Sequence, residues 1–175
     1  QSGTSLKANL PAVSLYAMRT IEPETLRRSR MFFTLGSYLA FRLTGRNATH
    51  LTDAAPSGFY DVTTCRPSAV APAWLSLPEA VESLRPIGRD QGVAVHPPVG
   101  DQQASVMGAG LASDAFLLNL GTAAQLCAVE PSPCFGEFES RPYFNGATLC
   151  TVTRLLGGRD IRQHENDPAF GDRMT

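Results

Sequence analysis

A carboxylate and two carboxamides, Asp101-Gln102-Gln103 in "VGDQQAS", stand where the extended apolar run "VAVHPP" gives way to a helix-forming string. Two chemistries are open to Asp101. Just ahead of a helix, its side chain can accept hydrogen bonds from the free amides of the first turn, as an N-cap. At the carboxyl end of a strand in an open α/β sheet, where ligands bind, it can take the proton of a substrate hydroxyl as a general base. Gln102 either orients that hydroxyl through its carboxamide or is a solvated first-turn residue. Twenty positions on, Gly121-Thr122 in "LNLGTAAQ" carries a similar pair of readings. It is a hairpin turn whose glycine supplies a positive φ, or a nest of backbone amides and a hydroxyl that holds phosphate oxygens.

These residues need elements to hold them. Apolar residues at helical spacing predict helices over 12–19 and 24–44, with Leu26, Phe33, Leu35, Leu39 and Leu43 inward and Arg27, Arg28 and Arg42 facing water. Pro23 fits the first turn of the second helix and Gly45 its end. The stretch "TDAAPSGFYDVTT" reads as a loop with a short extended piece, and "PAWLSLPEAVESL" as two short helices, the second beginning at Pro78. "GVAVHPPVG" predicts a short buried strand and "QQASVMGAGLA" a helix, with Gly108, Ala109 and Gly110 allowing a neighbour to approach closely. Strand, polar turn and helix together make an α/β unit. The last third reads as hairpins, around Gly121-Thr122 and around Asn145-Gly146. A boundary therefore falls near Ser113, and the polar end "RDIRQHENDPAFGDRMT" is expected to be loosely held.

Composition narrows the partners. With a net charge of -1 over 175 residues, there is no basic field for nucleic acid or an anionic membrane. Cys65, Cys127, Cys134 and Cys150 form no C-x-x-C pair, so neither a zinc site nor a redox motif is indicated, and they read as reduced thiols of a cytoplasmic protein. No apolar run reaches the roughly 20 residues that cross a bilayer, and the first residues lack a signal-peptide core.

The ordered set "GSYLAFRLTGR", "TDAAPSGFYDV", "VGDQQASVMGAGL", "FLLNLGTAAQL" and "RPYFNGATL" followed by "GGRD" resembles the FGGY carbohydrate kinases. The resemblance runs from "SGTSLKANLP" to "LLGGRD", is carried most specifically by the "GDQQA" and "LGTAAQ" pair, and is nearest the sedoheptulokinase-like branch. It implies an α/β, ribonuclease H-like (actin-like ATPase) fold in part. Residues 1–112 would be the C-terminal part of the first, sugar-binding domain, and residues 113–175 the start of the second, ATP-binding domain. ATP and Mg²⁺ would lie between them, with a sugar or polyol as the other partner and a homodimer allowed. Asp101 would be the general base, Gln102 a sugar-binding residue, and Gly121 and Thr122 the contacts to the ATP phosphates; no residue is assigned to the metal.

The chain also departs from the family. His50 and Leu51 occupy the place of an Asp-Tyr pair that helps glycerol kinase hold glycerol, and His50 reads as a solvated loop residue. The amino-terminal "DxGTT"-type phosphate loop and the carboxy-terminal adenosine site are not found in these 175 residues. The expectation is a sugar kinase whose isolated middle is inactive. The alternative is a non-catalytic, truncated remnant that serves as a binding or interaction module.

Overall fold

The computed structural model describes residues 3, 8, 10–112 and 114–158. The expected boundary at Ser113 and the polar end from 159 onward lie outside the described residues. Helices α1 (Pro11–Ile21) and α2 (Pro23–Arg28) each begin on a proline, whose fixed φ suits the first helical position. The predicted helix over 24–44 does not run through. It stops at Ser29, which is extended at φ -69°, ψ 136°, and resumes as α3 (Leu35–Thr44). The cause is tertiary: Ser76 N–H donates to the Arg30 carbonyl and Phe32 N–H to the Ser76 carbonyl, each at 2.9 Å. Paired backbone and a half-buried Phe32 outweigh helix propensity, which is a weak preference.

Thr34 and Ser37 then open α3 with a reciprocal capping box, 3.0 and 2.9 Å, and Gly45 closes it at φ 75°. The buried face of α3 is Ser37 and Ala40, not the leucines. Leu35, Leu39 and Leu43 point to solvent, Leu35 with 80% of its surface exposed. The small face is what lets the helix sit tight, since a Cβ on Gly36 would come within 2.5 Å of the Pro98 Cβ.

Strand β1 (Ala48–His50) runs into the single turn α4 (Leu51–Ala54) and a 3-10 turn, Ala55–Ser57. The "DAAPSG" segment is therefore short helix, and it is mostly buried. Then follow β2 (Tyr60–Asp61) and its antiparallel partner β3 (Arg66–Pro67). Phe59 and Tyr60, both 1% exposed, anchor a core with Leu10, Ala12 and Ala54. Phe32 meets Phe59 edge-on at 5.1 Å between ring centroids.

The helices predicted in "PAWLSLPEAVESL" are absent. Glu79–Val81 is instead a strand, β4, parallel to β1. Proline also fits the entry to a strand, and Glu79 makes a bidentate ion pair, 2.7 and 3.0 Å, with Arg46 just ahead of β1. β5 (Gly88–Asp90) and β6 (Val93–Val95) form a hairpin. This strand is not the buried one expected of "GVAVHPPVG": Val93 is 69% exposed. Residues 96–100 continue without a regular sheet partner, tied by His50 N–H to the Pro98 carbonyl at 2.9 Å.

Helix α5 (Asp101–Gly108) follows as expected. Gly108 and Gly110 have nothing within 4 Å of where a Cβ would stand, so they do not serve a close helix contact; Gly110, at φ 68°, turns the chain out of the helix. The hairpins appear where predicted. β7 (Leu117–Leu120), β8 (Ala124–Glu130), β9 (Glu139–Pro142) and β10 (Thr148–Leu155) make an antiparallel sheet in the order β7-β8-β10-β9. Asn145 and Gly146, at φ 58° and 76°, turn β9 into β10. One face of this sheet packs on α5 through Val106, Cys127 and Leu149. No helix among the described residues is long and apolar enough to cross a membrane, and the four cysteines are free thiols.

Candidate active site

The first turn of α5 is gripped residue by residue. Gly100, not Asp101, is the N-cap. Its N–H donates to the buried Thr52 hydroxyl at 3.0 Å. A Cβ there would lie 2.4 Å from Gln103 Oε1 and 2.8 Å from the Thr52 carbonyl oxygen, so only glycine fits without displacement. Gln103 is 1% exposed and donates through Nε2 to the Pro142 carbonyl at 3.2 Å. Asp101 sits between these two anchored positions, in the first turn and exposed to solvent. Its Oδ1 accepts the Gln102 N–H at 2.7 Å, and a carboxylate there is favoured by the positive end of the helix. Asp101 is thus one residue inside the helix and not its N-cap, though its exposed carboxylate does take one amide of the first turn.

His50 is buried, at 2% exposure, and not the solvated loop residue expected. The Thr52 N–H donates to Nδ1 at 3.2 Å, so Nδ1 is the unprotonated nitrogen. Nδ1 also lies 2.9 Å from the Thr52 hydroxyl, and Nε2 donates to the Glu82 carbonyl at 3.1 Å. Burial pushes its pKa below the ordinary 6.5, opposed by the Glu82 carbonyl and charge. The unfolded chain then binds the proton more readily than the folded one. The contribution of His50 to stability is full above 6.5 and shrinks as pH falls below it. We expect the urea midpoint to drop below that pH, and a His50→Asn variant to lack that part of the drop; superimposable pH profiles would contradict this.

Beside α5 opens a cleft of about 330 Å³. Asp101, Gln102 and Ser105 form one wall, and Asn119, Gln125 and Arg141 of the sheet the other. Gln102 bridges the walls. Its Nε2 lies 3.0 Å from Gln125 Oε1 and 3.3 Å from Thr151 Oγ1, and its Oε1 accepts from Arg141. Arg141 is ion-paired with the buried Glu139. Arg141, Thr52 and Gln103 lie in the "RPYFNG", "TDAAPSGFYDV" and "GDQQA" segments, which stand out in the sequence without giving these three residues a role.

Gly121 and Thr122 lie at the exposed tip of the β7–β8 hairpin, beyond the arm residues that line the cleft. The reason expected for the glycine does not hold, because Gly121 is not among the positive-φ residues. A Cβ would meet nothing closer than the Ala123 oxygen at 3.5 Å, an ordinary contact. The fold thus does not require glycine here for space, and the Gly121 N–H already donates to the Ala123 carbonyl at 3.2 Å. The tip is held from behind, Gly158 N–H donating to the Gly121 carbonyl at 2.8 Å. A Cβ on Gly157 would come 2.6 Å from Ala123 Cα. Gly121→Ala should leave stability within about 1 kcal/mol of the parent, read as a nearly unchanged urea midpoint; a larger drop would show that the fold needs glycine at this turn.

Among the described residues no three His, Cys, Asp or Glu side chains gather as a metal site.

No family model matches the chain, and no curated protein matches it by sequence. Solved structures do. The ligand-bound xylulose kinase from Lactobacillus acidophilus superposes with a TM-score of 0.84 at 18% identity, over 95% of this chain and 38% of that one. The gluconate kinase from the same organism gives 0.83 at 17%, over 95% and 38%. The Plasmodium falciparum glycerol kinase with ADP gives 0.79 at 15%, over 99% and 41%. The chain thus spans about two fifths of the length of these neighbours. Its structural neighbours are FGGY-type xylulose, gluconate and glycerol kinases, and over the described residues the chain carries part of their ribonuclease H-like, actin-like fold.

Proposed function

We propose that this chain is the central segment of an FGGY carbohydrate kinase that transfers the γ-phosphoryl group of ATP to a hydroxyl of a ketose or polyol, sedoheptulose-like in class. Residues 1–112 belong to the sugar-binding domain and 113–175 open the ATP-binding domain. The observation that carries this reading is the exposed Asp101 carboxylate, held between two anchored residues at the rim of a polar cleft. Such a carboxylate accepts the proton of the attacking hydroxyl as its oxygen bonds to phosphorus and the bond to ADP breaks. That mechanism needs positioning and charge stabilisation more than covalent help.

Gln102 meets the sugar as part of a fixed polar wall, because its carboxamide is already held on both sides. Gly121 and Thr122 meet the phosphates at the exposed hairpin tip, where Thr122 offers a hydroxyl. A bound Mg²⁺ would neutralise charge on those phosphates. The replacement of the glycerol-holding Asp-Tyr pair by buried His50 and Leu51 argues against glycerol as substrate. The test is a coupled ADP assay of the full-length protein against ketoses, polyols and glycerol. Sugar-dependent ADP release with at least one ketose or polyol is expected; none across the panel overturns the reading.

A further inference from the structure

The "RPYFNG" segment has a role that the proposed reaction has not used. Its arginine reaches across the cleft, from β9 to Gln102 on α5. Guanidinium carries only donors, so the atom of Gln102 it faces must be the carboxamide oxygen. That contact fixes which way round the carboxamide lies, since the amide oxygen and nitrogen have nearly the same shape. With the oxygen turned to Arg141, the NH₂ group must point at the acceptors on the far side, Gln125 Oε1 at 3.0 Å and Thr151 Oγ1 at 3.3 Å. Arg141 is itself aimed by Glu139, two residues earlier on the same strand, whose carboxylate is buried. Its Nε is buried with no hydrogen-bond partner among the described residues, so the grip rests on the two terminal nitrogens, one to each partner.

We infer that Arg141 is a positioning residue: by orienting the Gln102 carboxamide it clamps the first turn of α5, and with it Asp101, to the sheet whose hairpin would hold the phosphates. This rests on the kinase reading for its catalytic consequence, but the clamp itself does not. Lysine keeps the charge beside Glu139 and loses the planar fork that serves two partners at once. Arg141→Lys in the full-length protein is expected to lower kcat about tenfold while leaving the KM for ATP within twofold. In the same variant, hydrogen exchange at the Ala104 amide, which donates to the Gly100 carbonyl at 2.9 Å, should speed up at least fivefold, with the β8–β10 amides unchanged. Gln102→Leu removes the other half of the clamp and should give the same acceleration, so a lysine variant that fails to fold does not leave the matter open.

Unchanged Ala104 exchange in a folded variant overturns the clamp. Faster exchange with unaltered kcat also overturns it as a positioning device for the reaction. If the parent transfers no phosphoryl group to any sugar, the kinase reading falls, and the exchange result alone decides the clamp.

Discussion

Asp101→Asn in the full-length protein is expected to lower kcat by about 10²–10⁴-fold, the range that general-base catalysis contributes, while the ATP KM stays close to that of the parent. Asparagine keeps the shape and the acceptor oxygen that takes the Gln102 N–H, but it cannot take up a proton near neutral pH. The helix start should survive the change, because Gly100 and not residue 101 is the cap, and the anchoring hydrogen bonds come from residues 100 and 103. Steady-state kinetics beside a circular dichroism spectrum separate a lost base from a lost fold. Near-normal turnover in a folded variant would remove Asp101 from the chemistry.

The second large effect is on stability. Thr52 is fully buried, and its hydroxyl serves both the Gly100 N–H and His50 Nδ1. Thr52→Val keeps the volume and removes that hydroxyl, leaving the Gly100 amide without its partner at the point where α5 begins. An orphaned buried donor costs about 1–3 kcal/mol, which appears as a lower urea midpoint at unchanged slope. Thr52→Ser, which restores the hydroxyl, should recover most of the loss. A valine variant as stable as the parent would show that the network does not hold the helix.

The two predictions draw on different depths of the sequence. The residues of the cleft, Asp101 and Gln102, were legible in the "VGDQQAS" string and the second hairpin tip in "FNG", because turn chemistry and helix starts are written in neighbouring residues; the "LGT" tip stands where expected but not for the expected reason, since Gly121 has no positive φ. Helix α5 and the Gly45 stop were legible for the same reason. What failed depended on partners far along the chain. The 24–44 pattern keeps its helical period through residues that pair with Ser76, and nothing local marks that pairing. The apolar stripe of α3 points to solvent, and the helix is seated instead by its small residues, with Ser37 and Ala40 buried and Gly36 tight against Pro98. Burial of His50 likewise comes from contacts made 32 residues away, at Glu82, and from the Phe144 ring, 5.3 Å from its own.

The grips on residues 100, 102 and 103 have a consequence for how this stretch can drift or be redesigned. They come from Thr52, in α4, and from Arg141 and the Pro142 carbonyl, neighbours on β9 far along the chain. Changes at 102 and 141 are therefore not independent: a lineage that loses one loses the reason to keep the other, and substitutions at the two should travel as a pair. A "GDQQ" string transplanted alone into another scaffold would bring the carboxylate without the means of aiming it. The heritable unit of this site is the helix start together with the strand that faces it.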